Sequence, residues 1–90
     1  MNNATMPPVV SVTLYSKPDC HLCESVEQVI EAVGKRRRFD LVIVDIRTNP
    51  EAFAKYEFEI PVVVVDGKEV ARHRMDEREL MAALDAAEAG

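Results

Sequence analysis

Two stretches of this sequence, Phe39-Asp-Leu-Val-Ile-Val-Asp-Ile46 and Ile60-Pro-Val-Val-Val-Val65, are apolar almost without a break. A strand with one face in water alternates apolar and polar side chains. An unbroken run points instead to a strand covered on both faces, as in a parallel sheet. Helices must supply that cover, and the chain has them in the right places. Ahead of the first run stands Val9-Val-Ser-Val-Thr-Leu-Tyr15, a β-branched and aromatic stretch with partial alternation that reads as a strand. Between the two, Leu22, Val26, Val29, Ile30 and Val33 recur at helical spacing over residues 20–33, and Gly34 is a stop signal. Strand, helix and strand make a βαβ unit with a right-handed crossover.

The rest of the chain is read the same way. Thr48-Asn-Pro-Glu51 has the form of a capping box opening a short helix to about Tyr56, with Phe53 and Tyr56 expected in the core. The second run, from Ile60 to Val65, is the third strand. Pro61 is tolerated as its first residue. With about one X–Pro bond in twenty cis in folded proteins, frequency alone favours a trans Ile60–Pro61 bond. Asp66-Gly67 is a tight-turn signal, so residues 68–73 should fold back antiparallel. Asp76-Glu-Arg-Glu79 resembles a second capping box and opens a last helix with Leu80, Leu84 and Ala87 on one side. The order is β-α-β-α-β-β-α, an α/β domain over residues 9–90 behind a mobile arm, residues 1–8, that ends in Pro7-Pro8.

Composition narrows the function. A chain of 90 residues, 48% apolar, can bury roughly 60–70% of its unfolded surface and needs no disulfide staple. A net charge of −5 argues against nucleic acid as a partner. The one basic cluster, Lys35-Arg-Arg-Arg38, follows a helix end, where solvated cations complement the dipole. No stretch approaches the roughly 20 apolar residues of a membrane span, and the N-terminus lacks the pattern of a signal peptide. The expectation is a monomer in the cytosol, with neither membrane nor nucleic acid as partner.

The chemistry lies in Tyr15-Ser-Lys-Pro-Asp-Cys-His-Leu-Cys-Glu24, which holds the only two cysteines. Cys20 and Cys23 fall where the strand pattern gives way to the helix pattern. A helix N-terminus carries free N–H groups and partial positive charge, which favour thiolate over thiol. In a Cys-x-x-Cys at such a place the first thiol drops below its ordinary value of about 8.5. Lys17 should act in the same sense and Asp19 against it. A purely structural disulfide is a poor alternative, since so short a loop recovers only about 2 kcal/mol. Two helical positions three apart also hold their Cβ atoms wider than a relaxed disulfide prefers. Zinc wants four ligands, and only His21 and His73 remain; c-type haem wants His where Glu24 stands. No metal site is expected. Redox use is the reading preferred, with Cys20 attacking and Cys23 resolving. The alternative is a binding module that uses the pair to dock a partner, a metal or an iron–sulfur cluster bridged between two chains.

The element order, with a Cys-x-x-Cys at the head of the first helix and Ile-Pro before the third strand, resembles the thioredoxin fold. In detail it is similar to the glutaredoxin-like proteins. The likeness covers roughly residues 9–88 and rests on Leu14 to Cys23, Glu59 to Lys68 and the closing helix. It implies a mixed four-stranded sheet with helices on both faces and an activity in thiol–disulfide exchange. It implies that Ile60–Pro61 is cis, that Pro61 faces the cysteines, and that residue 60 offers backbone hydrogen bonds to a bound substrate. Lys17, His21 and Leu22 would border the same substrate. The implied partners are a disulfide-containing protein or small thiol, and a reductant, either glutathione or a thioredoxin-reductase-like system. The chain departs from the family in two places. His21-Leu22 stands where glutaredoxins usually carry Pro-Tyr. Ala71-Arg72 replaces a Gly-Gly pair, and those side chains would crowd a backbone against which glutathione lies. No tightly bound cofactor is expected, and glutathione is the reductant against which Ala71-Arg72 counts.

Overall fold

The structure is a computed structural model that describes residues 9–89; the arm expected over residues 1–8 lies outside them. In chain order the elements are strand β1 (Ser11–Ser16), helix α1 (His21–Gly34), strand β2 (Asp40–Asp45) and a 3-10 turn (Ile46–Thr48). Helix α2 (Pro50–Tyr56), strands β3 (Val62–Val65) and β4 (Lys68–Arg72), and helix α3 (Glu77–Ala89) follow. The four strands form one sheet in the order β2-β1-β3-β4. β1 pairs in parallel with β2 and antiparallel with β3, and β3 pairs antiparallel with β4.

Each face of the sheet has its own core. Val12 and Leu14 of β1 and Val63 and Val65 of β3 pack with Val26, Ile30 and Val33 of α1 and with Leu80 and Leu84 of α3. On the other side Val62 joins Ala52 and Tyr56 of α2, Ile46, Ile60 and Cys23, with Tyr15 and Val64 against them. The unbroken apolar run of β3 is thus buried from both sides. The run over residues 39–46 is not, which corrects the sequence reading. Leu41, Val42 and Ile43 are 37%, 51% and 46% exposed. The order of strands puts β2 at an edge, and the helices centre on β1 and β3.

Local chemistry sets the boundaries. Asp76 and Glu79 cap α3 reciprocally: Glu79 N–H donates to Asp76 Oδ1 at 2.8 Å and Asp76 N–H to Glu79 Oε1 at 2.9 Å. Asp66 and Gly67 both have positive φ, 47° and 82°, as a two-residue hairpin of this twist requires. At α2 the cap moves by one residue from the position expected. Asn49 Oδ1 accepts the Ala52 N–H at 3.0 Å, whereas the Thr48 hydroxyl donates to Asp45 C=O at 2.8 Å. Pro50 then takes the first helical position, where its missing N–H costs nothing. Asn49→Ala should therefore lower stability by about 1 kcal/mol, read as a lower urea midpoint at unchanged slope. On this two-turn helix Ala52 and Tyr56 face the core, and Phe53, expected there too, is exposed.

The basic cluster after α1 is likewise more than a solvated dipole cap. Arg37 reaches Asp85 at 2.9 Å and Glu88 at 3.1 Å, and Arg36 pairs with Glu77. Bonds first to Glu88 and then to Asp85 hold the Arg37 guanidinium's pKa above its ordinary value. These pairs tie the end of α1 to α3.

Candidate redox site

β1 ends at the buried Ser16, and residues 17–19 turn the chain outward. Asp19 sits in the left-handed region at φ 60°, and Cys20 is extended at φ −119°, ψ 103°. Helix α1 therefore starts at His21, with Cys20 as its N-cap. The Cys20 Sγ accepts the N–H of Cys23 at 3.2 Å, and its carbonyl accepts the N–H of Glu24 at 3.0 Å. The two sulfurs are bonded to each other, with Cα atoms 5.2 Å apart. Cys20 thus lies just outside the helix and Cys23 within its first turn. The Cα separation is within the usual range for a disulfide.

The cysteines differ in exposure. Cys20 is partly exposed, while Cys23 is 3% exposed and belongs to the core cluster of Ile46, Ala52, Tyr56, Ile60 and Val62. The line that α1 buries is Cys23, Val26, Ile30 and Val33. Leu22, expected in that line, is instead 42% exposed beside the disulfide. In the first turn of the helix, Cys23 takes the inward direction and leaves Leu22 pointing away.

The second arm of the site is the segment before β3. Ile60 packs in the same cluster as Cys23, and the Ile60–Pro61 bond is cis. Pro61 is buried, and its carbonyl accepts the His73 N–H at 2.8 Å. The Ile60 N–H is already engaged by Tyr56 C=O at 3.2 Å, whereas the Ile60 C=O meets no donor among the described residues. Of the two backbone groups implied for residue 60, the carbonyl is the one without a partner among the described residues. Lys17 and His21 are exposed; His21 Nδ1 lies 3.8 Å from Glu24 Oε1, and Lys17 makes no ion pair among the described residues. The structure thus brings Cys20, Cys23 and Ile60 together in one cluster, with Leu22 and His21 on the rim and Lys17 in the loop before it.

Sequence reasoning missed three features near this site. Asp45 caps the 3-10 turn, accepting the Arg47 N–H at 2.9 Å, and clasps the Arg47 guanidinium at 2.7 Å. The Arg47 bonds hold the Asp45 carboxyl below its usual range. Asp45 in turn raises the Arg47 pKa, and Asp19, just before Cys20, adds a smaller pull. Asp-x-Arg-Thr directly after a strand was the available signal. Tyr15 and Tyr56 form an aromatic pair with centroids 4.8 Å apart, and Lys55 Nζ lies 5.2 Å above the Tyr56 ring. Phe58, two residues before Ile60, is 81% exposed. Tyr56 C=O accepts the N–H groups of both Glu59 and Ile60, so Phe58 projects from a tight turn. Among the described residues no group of three or more His, Cys, Asp or Glu side chains is placed to hold a metal ion.

Comparison with known proteins agrees with the fold. Residues 11–85 match the glutaredoxin-like domain (DUF836). A glutaredoxin-like protein of Dictyostelium discoideum is 30% identical over 77 residues, covering 79% of this chain and 71% of that protein. The solution structure of a Nitrosomonas europaea protein superposes with a TM-score of 0.73 at 27% identity, over 93% of this chain and 99% of that one. A malaria-parasite thioredoxin-2, described as a component of protein secretion machinery, superposes with a TM-score of 0.70, over 94% of this chain and 89% of that one. At 21% identity that last likeness speaks for the fold alone.

Proposed function

This chain belongs to the glutaredoxin-like domain family, and on that basis we propose that it is a thiol–disulfide oxidoreductase working through Cys20 and Cys23. The observation that carries the reading is the pairing of a partly exposed cap sulfur with a buried neighbour at a helix N-terminus. When the pair is reduced, a Cys20 thiolate keeps the Cys23 N–H as a donor and faces the positive end of α1, so ionisation is favoured there. The thiolate attacks one sulfur of a substrate disulfide. A Cys20–substrate bond forms, and the other substrate sulfur leaves as a thiolate and takes a proton from water. Cys23 then loses its proton and attacks Cys20 Sγ. The first substrate sulfur leaves, and the Cys20–Cys23 disulfide remains. Two electrons have passed to the substrate, and an external dithiol must return them.

The substrate is a disulfide-bearing protein or small thiol that meets Cys20 between Leu22 and the turn carrying Phe58, with the Ile60 carbonyl open to an N–H of the substrate. The reductant we place first is a thioredoxin-reductase-like system. Arg72, held by Glu69 and by Glu59 at 3.3 Å, puts a fixed side chain where glutaredoxins keep a glycine. A reducing, cytosolic setting belongs to the same reading. An exposed phenyl ring two residues before Ile60 serves a protein better than a small thiol. Phe58→Ser should lower kcat/KM for a protein disulfide about tenfold, the equivalent of roughly half a buried ring, and leave reduction of a small disulfide unchanged.

The central test is the intact mass of the reduced, folded protein after exposure to oxidised glutathione. Loss of two hydrogens is the expected result, since both sulfurs must take part. A persistent glutathione adduct would assign single-thiol chemistry, and an unchanged mass would make the cysteines inert; either overturns the dithiol reading.

A further inference from the structure

We propose that β2 is a dimerisation edge, and that two copies of this chain join there, antiparallel, into one continuous eight-stranded sheet. This departs from the monomer expected from the sequence. It begins with the hydrogen-bond phase of the strand. The Asp40 N–H donates to Val10 C=O at 2.9 Å, so residues 40, 42 and 44 turn their backbone groups toward β1. The N–H and C=O of Leu41 and Ile43 therefore point outward from the sheet. Around them lie Leu41, Val42 and Ile43, three consecutive exposed apolar side chains. An edge of this kind is a template for another strand.

The occupant follows from the symmetry of the pattern. In an antiparallel pair, outward-facing residues must stand opposite outward-facing residues. A two-fold axis through Val42 meets that condition, placing Leu41 opposite Ile43 of the second copy and Ile43 opposite its Leu41. Four backbone hydrogen bonds close across the axis. Val42 meets its own copy in the close, non-hydrogen-bonded pair. Asp40 falls opposite Val44, so no carboxylate faces another. The apolar triplet is thus complementary to itself, which is the requirement of an isologous interface.

The other edge argues against open-ended assembly. β4 exposes Lys68, Glu69 and Arg72, and its pairing with β3 slips between Val63 and Val64. Charged, irregular edges resist strand addition. β2 can therefore pair with β2 but poorly with β4, and the assembly stops at two chains. The two disulfides, beyond the C-terminal ends of the two β1 strands, point away from each other and stay open.

Sedimentation of the full-length protein from micromolar to millimolar concentration tests this. The expected result is a reversible rise in weight-average mass from one chain toward two. Val42→Lys should hold the protein at one chain throughout, because two ammonium groups would meet across the axis. Phe53→Lys, the same kind of change at an exposed position on α2 rather than on β2, should dimerise as wild type does. Hydrogen exchange on the wild type needs no variant: the Leu41 and Ile43 amides should become protected as concentration rises, and the β4 amides should not. A wild type that stays at one chain, a Val42→Lys that still dimerises, or protection gained elsewhere would each overturn the proposal.

Discussion

Cys20→Ser is expected to abolish disulfide reduction, by at least about a thousandfold in turnover, while leaving the protein folded. A serine hydroxyl does not ionise near neutral pH, so the helix N-terminus has no anion to stabilise and the first bond to substrate does not form. Serine is nevertheless a good N-cap, and its oxygen can accept the Cys23 N–H that the sulfur accepts now. Helix α1 should start as before. The lost disulfide closes a loop so short that its removal costs no more than about 2 kcal/mol. Activity and thermal stability measured on one preparation therefore separate chemistry from folding. Cys23→Ser should behave differently, completing the first step and accumulating the mixed disulfide on Cys20. It also puts a hydroxyl into an apolar cluster and should cost more stability than the change at Cys20. A Cys20→Ser protein with full reductase turnover would end the proposed mechanism.

Leu84→Ala, like Leu80→Ala, should be among the most damaging simple truncations in α3. Leu84 is fully buried where that helix meets α1 and the sheet, among Ile30, Val33, Leu14 and Val63. Cutting it back removes transfer free energy and leaves a cavity in a layer closed on every side, a loss of about 3 kcal/mol. Against a total of 5–15 kcal/mol that is a large share, and in a domain of this size it lowers Tm by roughly 10–20 °C. Urea unfolding should show a lower midpoint at unchanged slope. A loss under about 1 kcal/mol would mean that α3 is not anchored through this side chain.

The pieces legible in the sequence are those fixed by neighbours along the chain. The Asp76–Glu79 box, the Asp66-Gly67 turn, the α1 stripe from Val26 on and the strand at residues 62–65 each need only local sterics and periodicity. The edge position of β2 was not legible. An apolar run records what a strand tolerates and does not say which neighbours the topology gives it; order in the sheet is decided by pairings across the whole chain. Thr48 and Asn49 are both good caps, and choosing between them depended on where Asp45 C=O lay to take the Thr48 hydroxyl. Leu22 fits the apolar spacing to Val26 yet is exposed, and Cys23 is the residue of that first turn that reaches the core. At the site, the cysteine pair and its helix start could be read directly. The approach of Ile60 to Cys23 entered only through family resemblance, because it links residues far apart in the chain. The Asp45–Arg47 clasp and the exposed Phe58 have no periodic signature at all.

One consequence of the strand order concerns time rather than space. Among the described elements β1 comes first yet sits in the middle of the sheet, so it is made before its partners and is among the last to be fully enclosed. During synthesis it can pair with β2 once residue 45 has emerged, and that pairing satisfies one side of its backbone. Its other side waits for β3, and the cover that α1 begins over Val12 and Leu14 is completed only by Leu80 and Leu84 in α3. Until α3 has been made, a nascent chain of this protein therefore carries an open apolar surface. The closing event belongs to α3, which makes that helix the gate between a sticky intermediate and a closed core.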